Sequence, residues 1–467
     1  MDLSKIKTIY MIGIKGVGMT MLAEFLANDG FSISGSDTTD IFMTDAVLEK
    51  AGIKIFQGFD ETNLNEDADL VVYSTAYNET NNVELNKAIS KKMRVATFAQ
   101  TLGEVFNGRH GVAVCGSHGK TTTTAWLGYV LAECGIKPNV MVGAQVPQFG
   151  GASLTGDSNY LVIEADEYQN KLQYFNPKMI LLNNIDFDHP DFFEDQAAYE
   201  QAFVEFIFKL PKSGILIANF DDKIVKRLSQ AYCNGRVIGY GKSAEADYRI
   251  SGIEWDGQKQ YFKLQMRDDE GVSDVGEFSI ALNGEHNVHN AAAVIIAAIE
   301  LNADLHLIRR AVGEFTGTAR RMQKMGEFNK AVIIDDYAHH PTEIQATLKA
   351  LKQKYDDKKI RVVFHPHTFS RTEALIDDFA ESFSKADEVI VLNIYSSARE
   401  ENGEITGEQV AEYISQNLGP KKTVKYIATL EEVEQYLRTT TMEGDLIVLM
   451  GAGDVFRIGE RLVKNND

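Results

Sequence analysis

The residues best suited to chemistry form a short glycine loop, with the sequence VCGSHGKTT at residues 114–122. In a loop that joins a strand to a helix, backbone amides surround phosphate oxygens and the lysine neutralises the β and γ oxygens. A standard P-loop has glycine where Val114 stands, so this shortened form disfavours ordinary motors and GTPases. We expect ATP to contact Gly116, Ser117, His118, Gly119, Lys120, Thr121 and Thr122.

Acidic residues end two later apolar stretches and are candidate ligands for a metal ion. The first stretch ends in EADE at 164–167, and the second ends in NNIDFD at 183–188, followed by His189. The carboxyl ends of parallel strands meet at one sheet edge, and hard cations such as Mg²⁺ prefer oxygen ligands. We expect Thr121, Glu164 and His189 to bind Mg²⁺. The alternatives are a solvated strand end for Glu164 and a structural, hydrogen-bonded role for His189.

A second glycine loop, Gly13 to Gly18, precedes the first long helix and has the spacing GxxGxG. The dinucleotide fingerprint is GxGxxG, so the match is inexact, although Asp37 lies at about the distance of a ribose-binding carboxylate. The alternative is that these glycines only permit close packing of strand and helix. A ligand that contains a diphosphate is favoured, because loop amides and the helix dipole can hold it.

Two further polar segments precede helices. One is DDYAHHP at 335–341, which ends an apolar strand and starts a helix at Pro341, so its polar groups should gather at the ligand-binding edge of a sheet. The other contains His286, Asn287 and Asn290. From the residues alone, solvent-facing histidines in the first segment and simple helix capping in the second remain alternatives.

The elements that position these segments alternate strands with helices, which is typical of parallel α/β sheets. We predict three domains: Rossmann-like over residues 1–108, a central P-loop domain over 109–315, and a second Rossmann-like domain over 316–467. The central sheet should be mixed, because the alternating apolar residues at 278–282 are typical of antiparallel strands. Hinges near Gly108 and Gly317 would let the domains close on a shared site.

Composition limits the class of protein. The chain has 467 residues, more than one core usually supports, and 47 basic against 67 acidic side chains give a formal charge of −20. This charge disfavours nucleic acid as a partner. Three cysteines without paired spacing indicate neither a disulfide framework nor a zinc site. The longest later apolar run, residues 291–299, is too short to cross a bilayer, so we expect a cytoplasmic protein without membrane insertion.

Taken in order, these segments resemble the Mur ligase family over nearly the whole chain. Several members carry a carbamylated lysine about 15 residues beyond the DH pair, where this chain has Val204, and its absence favours the branch that adds L-alanine to UDP-N-acetylmuramate. The matching segments are the first glycine loop, GSHGKTTT (116–123), EADE (164–167), DH (188–189), HNVHNAAA (286–293), FTGTARR (315–321), DDYAHHPTE (335–343), PHTFSRT (366–372) and GAGD (451–454).

The resemblance implies a ligase that uses ATP and Mg²⁺ to activate the lactyl carboxylate as an acyl phosphate. It implies catalytic roles for Lys120, Glu164, His189, His339 and His340, and further ATP contacts from Asn287, Asn290 and Arg321. The UDP-sugar would lie at Gly13, Gly16, Gly18, Ser36, Asp37, Ser74, Thr75 and Ala76, and the amino acid at Tyr337, His340, His367 and Arg371. Some alanine-adding relatives have Arg where this chain has Thr368, so Arg371 or Arg399 would replace it.

Other functions remain open at this stage. The segment Glu167-Tyr168 also resembles the related ligase that attaches a recycled murein tripeptide. A nicotinamide-dependent dehydrogenase would explain the first glycine loop but gives no role to residues 116–122, and an ATP-regulated binding protein would release no phosphate. Folate-type glutamate ligation shares the short loop but not the HHP and PHTFSRT segments. The preference among alanine, serine and glycine, the acceptor of the amine proton, and the choice between monomer and homodimer are not determined.

Overall fold

The computed structural model describes residues 3–42, 44–268, 271–396, 400 and 403–464. Its first sheet has five parallel strands, and the strand order reverses direction beside the loop that follows the first strand. In α/β sheets such a switch point is where ligands bind. The elements are β1 (Thr8–Ile12), α1 (Val17–Asn28), β2 (Ser32–Asp37), α2 (Asp45–Lys50), β3 (Lys54–Gln57), β4 (Leu70–Tyr73), α3 (Val83–Ser90), β5 (Val95–Thr97) and α4 (Phe98–Asn107), with 3₁₀ turns at Leu3–Lys5 and Glu61–Asn63.

The second sheet has ten strands and is mixed, as predicted. Its elements are β6 (His110–Cys115), α5 (Lys120–Glu133), β7 (Asn139–Val146), β8 (Gly151–Leu154), β9 (Tyr160–Glu164), β10 (Met179–Leu182), α6 (Gln196–Phe208), β11 (Ile215–Asn219), α7 (Lys223–Tyr232), β12 (Arg236–Gly241), β13 (Tyr248–Trp255), β14 (Gln260–Asp268), β15 (Gly271–Ile280), α8 (Glu285–Glu300) and α9 (Leu305–Glu314). The strand order is β15-β14-β13-β12-β11-β10-β6-β9-β7-β8. Antiparallel pairing occurs at both ends, between β13, β14 and β15 and in the β7–β8 hairpin.

The third sheet has six strands, five of them parallel, which together with the first two sheets confirms the predicted α/β fold class. Its elements are β16 (Gln323–Phe328), β17 (Ala331–Asp336), α10 (Pro341–Lys354), β18 (Lys359–Phe364), α11 (Phe369–Ala374), α12 (Ile376–Ser382), β19 (Glu388–Val391), α13 (Gly407–Leu418), β20 (Thr423–Tyr426), α14 (Leu430–Thr440), β21 (Asp445–Met450) and α15 (Phe456–Lys464). The edge strand β16 runs antiparallel to β17. Within the described residues, no helix has both the length and the hydropathy that a bilayer span needs.

The three sheets are joined in two different ways. Apolar residues of α1, such as Phe25 and Leu26, belong to the same buried cluster as Met141 and Ile163 of the central sheet. The third sheet has separate apolar clusters on its two faces. In the described part of the chain, no such cluster crosses from the central to the third sheet. Contacts between those two sheets must therefore be largely polar.

A buried charge cluster ties together strand ends of the third sheet, at the edge away from the site. Arg361 is 2% exposed and donates hydrogen bonds from Nε to Glu388 Oε2 (2.6 Å) and from Nη1 to Asp445 Oδ2 (3.0 Å). Its Nη2 donates to Thr440 Oγ1 (2.8 Å). A buried pair of this kind is strongly destabilising when only one partner is removed, because the other charge stays buried and uncompensated.

We expect Arg361→Met to lower the free energy of opening of the third domain by about 3–5 kcal/mol, since two buried carboxylates lose their cation. Native-state hydrogen exchange of the β18 amides measures that free energy. The matched control is Arg249→Met on β13, where the exposed side chain should change stability by no more than about 0.5 kcal/mol. A loss below about 1 kcal/mol at Arg361 would contradict the assigned role.

Candidate active site at the domain junction

The glycine loop between β6 and α5 forms a tight turn that only glycine can make at two positions. Gly116 has φ +121° and Gly119 has φ +80°. A Cβ atom at Gly116 would lie 2.7 Å from the Asn184 carbonyl oxygen, and one at Gly119 would lie 2.8 Å from Asn290 Oδ1. The loop thus keeps a cradle at the amino end of α5 that a side chain would fill. Such a cradle fits a phosphate group.

The loop lysine is already paired with a buried carboxylate. Lys120 Nζ donates to the carbonyl oxygens of Gly116 (2.7 Å) and Ser117 (3.1 Å) and to Glu167 Oε2 (2.9 Å). Glu167 is fully buried and also accepts a hydrogen bond from the Tyr199 hydroxyl (2.9 Å). Burial opposes the charge on Lys120, but the neighbouring carboxylates, Glu167 first, raise its pKa above the usual range. Lys120 is therefore a cation whose charge is shared with Glu167, and an anion in the loop would compete for it.

The three predicted metal ligands fall into two places. Thr121 Oγ1 donates to Glu164 Oε1 (2.8 Å), and the Gly143 amide donates to Glu164 Oε2 (2.9 Å). By contrast, the group of possible metal ligands that contains His189 has Asp166 and Glu167 as its other members. The His189 ring also stacks on Tyr168, with 4.4 Å between centroids. The structure thus brings Thr121 and Glu164 together and places His189 in a neighbouring acidic group.

A cavity of about 1380 Å³ opens beside the glycine loop and lies between α8 and α10. Asn290 Nδ2 donates to Asn287 Oδ1 (3.3 Å), and Asn287 Nδ2 donates to the Asn283 carbonyl oxygen (2.9 Å). Arg321 also lines the cavity, and its Nη2 donates to Thr121 Oγ1 (3.5 Å). Some of the predicted ATP contacts therefore border one space: His118, Gly119 and Thr122 of the loop, both asparagines of α8, and Arg321 of the third domain. This space is large enough for a nucleotide.

Partly buried histidines and one buried arginine of the third domain face the end of the central sheet. Arg371 Nε donates to Asp188 Oδ1 (2.7 Å), and both side chains are at most 7% exposed. Arg371 Nη1 also donates to the His367 carbonyl oxygen (3.3 Å). Burial, followed by the charge of Arg371, lowers the pKa of His339 to about 4. Burial, with His339 next, lowers the pKa of His367 to about 3. Both imidazoles are therefore neutral near pH 7.

His340 and Tyr337 are held by neighbouring elements. The His340 ring is 4.7 Å from that of His118, and its Nδ1 accepts a hydrogen bond from the Thr342 amide (3.3 Å), which caps α10. The Tyr337 ring lies 5.0 Å from the guanidinium carbon of Arg321. These two predicted site residues therefore line the boundary between the glycine loop and α10.

In the first domain, the predicted residues lie along the carboxyl edge of the sheet. The amides of Gly13 and Ile14 donate to the Ser36 carbonyl oxygen (2.9 and 3.1 Å). Asp37 Oδ2 accepts a hydrogen bond from the Lys15 amide (2.7 Å). At the start of α1, Gly16 N donates to Gly13 O and Gly18 packs against Phe98. After β4, Ser74 N donates to Ile12 O and Ala76 N donates to Ser74 Oγ. Thr75 Oγ1 donates to Gln169 of the central domain.

The lysine of this first loop is not free to meet an anion. Its side chain is 1% exposed, and Nζ donates to the carbonyl oxygens of Thr38 (3.0 Å) and Asp40 (2.8 Å) and to Gln57 Oε1 (2.8 Å). The same nitrogen lies 3.2 Å from Asp45 Oδ1. Lys15 therefore anchors the segment that follows β2.

Several carboxylates of the site were not among the predicted site residues, and they include Glu167 and Asp188, the partners of Lys120 and Arg371. Glu84 is fully buried and accepts a hydrogen bond from Ser36 Oγ. Asp186 and Glu343 both contact His118. The sequence contained only weak signals that Asp186 and Glu343 belong to the site. Asp186 stands in the predicted acidic stretch, and Glu343 stands in the first turn of α10. Arg399, proposed in place of the arginine absent at Thr368, lies outside the described residues.

Comparisons with known proteins give one consistent family. Three family models match successive parts of the chain: "Mur ligase family, catalytic domain" at residues 8–110, "Mur ligase middle domain" at 114–298 and "Mur ligase, glutamate ligase domain" at 320–453. A UDP-N-acetylmuramate–L-alanine ligase from Desulfitobacterium hafniense is 38% identical over 97% of this chain and 99% of the relative. One from Salinibacter ruber is 35% identical over 99% and 95%.

Solved structures give the same result. A UDP-N-acetylmuramate–alanine ligase from Thermotoga maritima has a TM-score of 0.81 and 26% identity, covering 98% of this chain and 99% of its own. A murein peptide ligase from Psychrobacter arcticus has a TM-score of 0.73 and 26% identity, covering 98% of both chains. The likeness therefore extends across all three sheets.

We expect Gly119→Ala to weaken binding of a fluorescent ATP analogue about tenfold or more, because the added methyl group meets Asn290 and Asn183 within 3.0 Å. The matched control is Gly135→Ala at the other end of α5. Gly135 has nearly the same φ, +78°, but its Cβ would meet nothing within 4 Å. The Gly135→Ala variant should be less stable but keep its affinity for the ATP analogue. Equal affinities for the two variants in a fluorescence titration would refute the assigned cradle.

Proposed function

The chain belongs to the Mur ligase family, and from that premise we propose that it joins L-alanine to the lactyl carboxylate of UDP-N-acetylmuramate in peptidoglycan precursor synthesis. ATP is cleaved to ADP and phosphate in this reaction. The observation that carries the proposal is the direct contact between the phosphate loop and the third domain, through His118 and Glu343. The contact supports the proposal because it joins the loop proposed for the triphosphate to the domain whose partly buried histidines and buried arginine are proposed for the amino acid.

ATP is needed because a carboxylate and an ammonium group do not condense near neutral pH. The lactyl carboxylate attacks the γ-phosphorus, which gives an acyl phosphate and ADP. Positioning and charge neutralisation supply most of the catalysis in such transfers. In this chain the loop amides and Lys120 hold the phosphates, and Arg321 approaches from the third domain. Asn287 and Asn290 border the space for the adenine.

The donors near the loop fit a magnesium ion. Thr121 and Glu164 offer a hydroxyl and a carboxylate within 2.8 Å of each other, which are ligand types that Mg²⁺ accepts. We assign these two residues and His189 to Mg²⁺, which when bound neutralises charge on phosphate oxygens. His189 would act through the neighbouring group with Asp166 and Glu167.

In the second step the free amine of alanine attacks the acyl carbon, and phosphate leaves with the carbon–oxygen bond electrons. Arg371, oriented by Asp188, suits the alanine carboxylate, because its Nη2 can donate while Nε stays on Asp188. His339 and His367 are neutral, so they do not repel an amine that is losing a proton. Tyr337 and His340 complete the proposed amino-acid site.

The first domain is the proposed site of the UDP-sugar. The amino end of α1, which follows the first glycine loop, suits the diphosphate through the helix dipole, and Ser36, Asp37 and the 74–76 turn border the same edge. Thr75 donates to Gln169, so this edge continues into the central domain. We further propose that the protein works in the cytoplasm as a monomer or homodimer, without nucleic acid or membrane insertion.

The other functions considered have weaker support. The murein peptide ligase from Psychrobacter arcticus has a lower TM-score, 0.73 against 0.81 for the alanine ligase from Thermotoga maritima. A nicotinamide-dependent dehydrogenase is not favoured, because one Mur ligase family model covers the first loop and a second covers the central P-loop domain.

The direct test measures phosphate release with ATP, Mg²⁺ and UDP-N-acetylmuramate against alanine, serine, glycine and the murein tripeptide, with product masses by mass spectrometry. Alanine should give the highest kcat/KM and a product heavier than the sugar nucleotide by one alanyl residue. Product formation with the tripeptide but not with alanine would refute the assignment.

We expect Lys120→Ala to lower kcat/KM on the order of 10²–10³-fold, because a charge that stabilises the transferring phosphate is lost. Steady-state kinetics measure the change. The matched control is Lys137→Ala in the same domain, whose side chain is 66% exposed and pairs with Asp157. Full turnover by Lys120→Ala would contradict the phosphate role.

A further inference from the structure

His118 lies where the phosphate loop of the central domain meets α10 of the third domain. Its Nε2 is 3.0 Å from Asp186 Oδ2 and its Nδ1 is 3.3 Å from Glu343 Oε1, while the side chain is 13% exposed. A neutral imidazole carries one N–H, so both hydrogen bonds exist together only when the ring is a cation. Although burial opposes it, the bonds to Asp186 and Glu343 raise the pKa of His118 to about 9.

Each of the two carboxylates also binds a group of the third domain. Thr342 Oγ1 donates to Asp186 Oδ2 (2.5 Å), and Arg321 Nη1 lies 3.6 Å from Glu343 Oε1. His118 is therefore the centre of a polar bridge with one carboxylate from the central domain and one from α10. Because no apolar cluster of the described residues crosses this boundary, such polar contacts hold the two domains together.

The main chain of His118 is fixed as firmly as its ring. Its amide donates to Asn184 Oδ1 (2.7 Å), and its carbonyl oxygen accepts from Asn183 Nδ2 (3.3 Å) and Asn184 Nδ2 (3.1 Å). Turning the imidazole toward a phosphate would break both carboxylate contacts. The same two contacts occupy both ring nitrogens of His118. The ring therefore has no free nitrogen with which to bind a metal ion together with Asp186 and His340.

We propose that His118 is a positioning residue that holds the third domain closed over the phosphate loop, so that the acyl phosphate meets the amine before it meets water. The inference rests on the proposed ligase function. Without the bridge, water replaces the amine at the acyl carbon and the bond from that carbon to the phosphate oxygen breaks. The carboxylate, phosphate and a proton are then released. Phosphate is produced without an amide, although the loop still binds ATP.

The experiment measures phosphate and amide in the same reaction, with ATP, Mg²⁺, UDP-N-acetylmuramate and L-alanine. The wild-type enzyme should release about one phosphate per amide. His118→Gln keeps an N–H donor but cannot bridge two carboxylates, so the ratio should rise about threefold or more. Glu343→Gln removes the negative charge of the same bridge from the other domain and should behave alike.

The double variant, which combines His118→Gln with Glu343→Gln, shows whether the two residues act through one shared contact or independently. If His118 and Glu343 act through one contact, its ratio should match that of the larger single variant. His306→Gln, an exposed histidine at the start of α9, is the matched control and should keep the wild-type ratio. Circular dichroism shows whether each variant is folded, and Glu343→Gln decides the test if His118→Gln is not.

Two results would overturn the inference. The first is a ratio of phosphate to amide of one in both single variants, whatever the KM for ATP. The second is a ratio in the double variant that equals the product of the two single-variant ratios. Failure of the proposed function looks different. In that case the wild-type enzyme itself shows no alanine-dependent release of phosphate.

Discussion

The site depends on an electrostatic constraint: a protein with a formal charge of −20 has to bind anions. It meets this constraint with cations that are held in place by buried carboxylates. Lys120 is paired with Glu167, and Arg371 is paired with Asp188. A buried cation without a partner would be costly, whereas a paired one is fixed in position before a substrate arrives. In the proposed function, an entering phosphate therefore meets an ordered charge. It shares that charge with a carboxylate, which reduces the free energy that the phosphate gains on binding.

The two domain interfaces have different chemistry, and this determines which domain can move. The first and central sheets share an apolar core, and Ser153 Oγ adds a hydrogen bond to Glu24 Oε2 across it (2.8 Å). Separating them would expose apolar surface to water. The central and third domains meet through ion pairs and hydrogen bonds, for which water can substitute. The third domain is therefore the one that can open and close within a cycle of binding and release.

Much of the fold was predictable because each site segment stands between a strand and a helix. The apolar patterns predict a helix over 17–28 and strands over 160–164 and 445–450, and these are the bounds of α1, β9 and β21. The β7–β8 hairpin, with three glycines and Pro147 within residues 143–151, has no clear alternation and was not predicted. Local pattern also could not show which carboxylate meets which cation. The pairing of Glu343 with His118 joins residues more than two hundred positions apart.

The buried state of Lys15 has a consequence for how the first domain responds to salt. Its ammonium group is enclosed by carbonyl oxygens and Asp45, so a diphosphate at the first glycine loop would meet backbone dipoles rather than a mobile side-chain charge. Counterions screen exposed charges over about 10 Å at 0.1 M ionic strength, but they screen short, partly buried contacts to the dipole at the amino end of α1 much less. The affinity of the first domain for a sugar nucleotide at this loop would accordingly vary little with ionic strength.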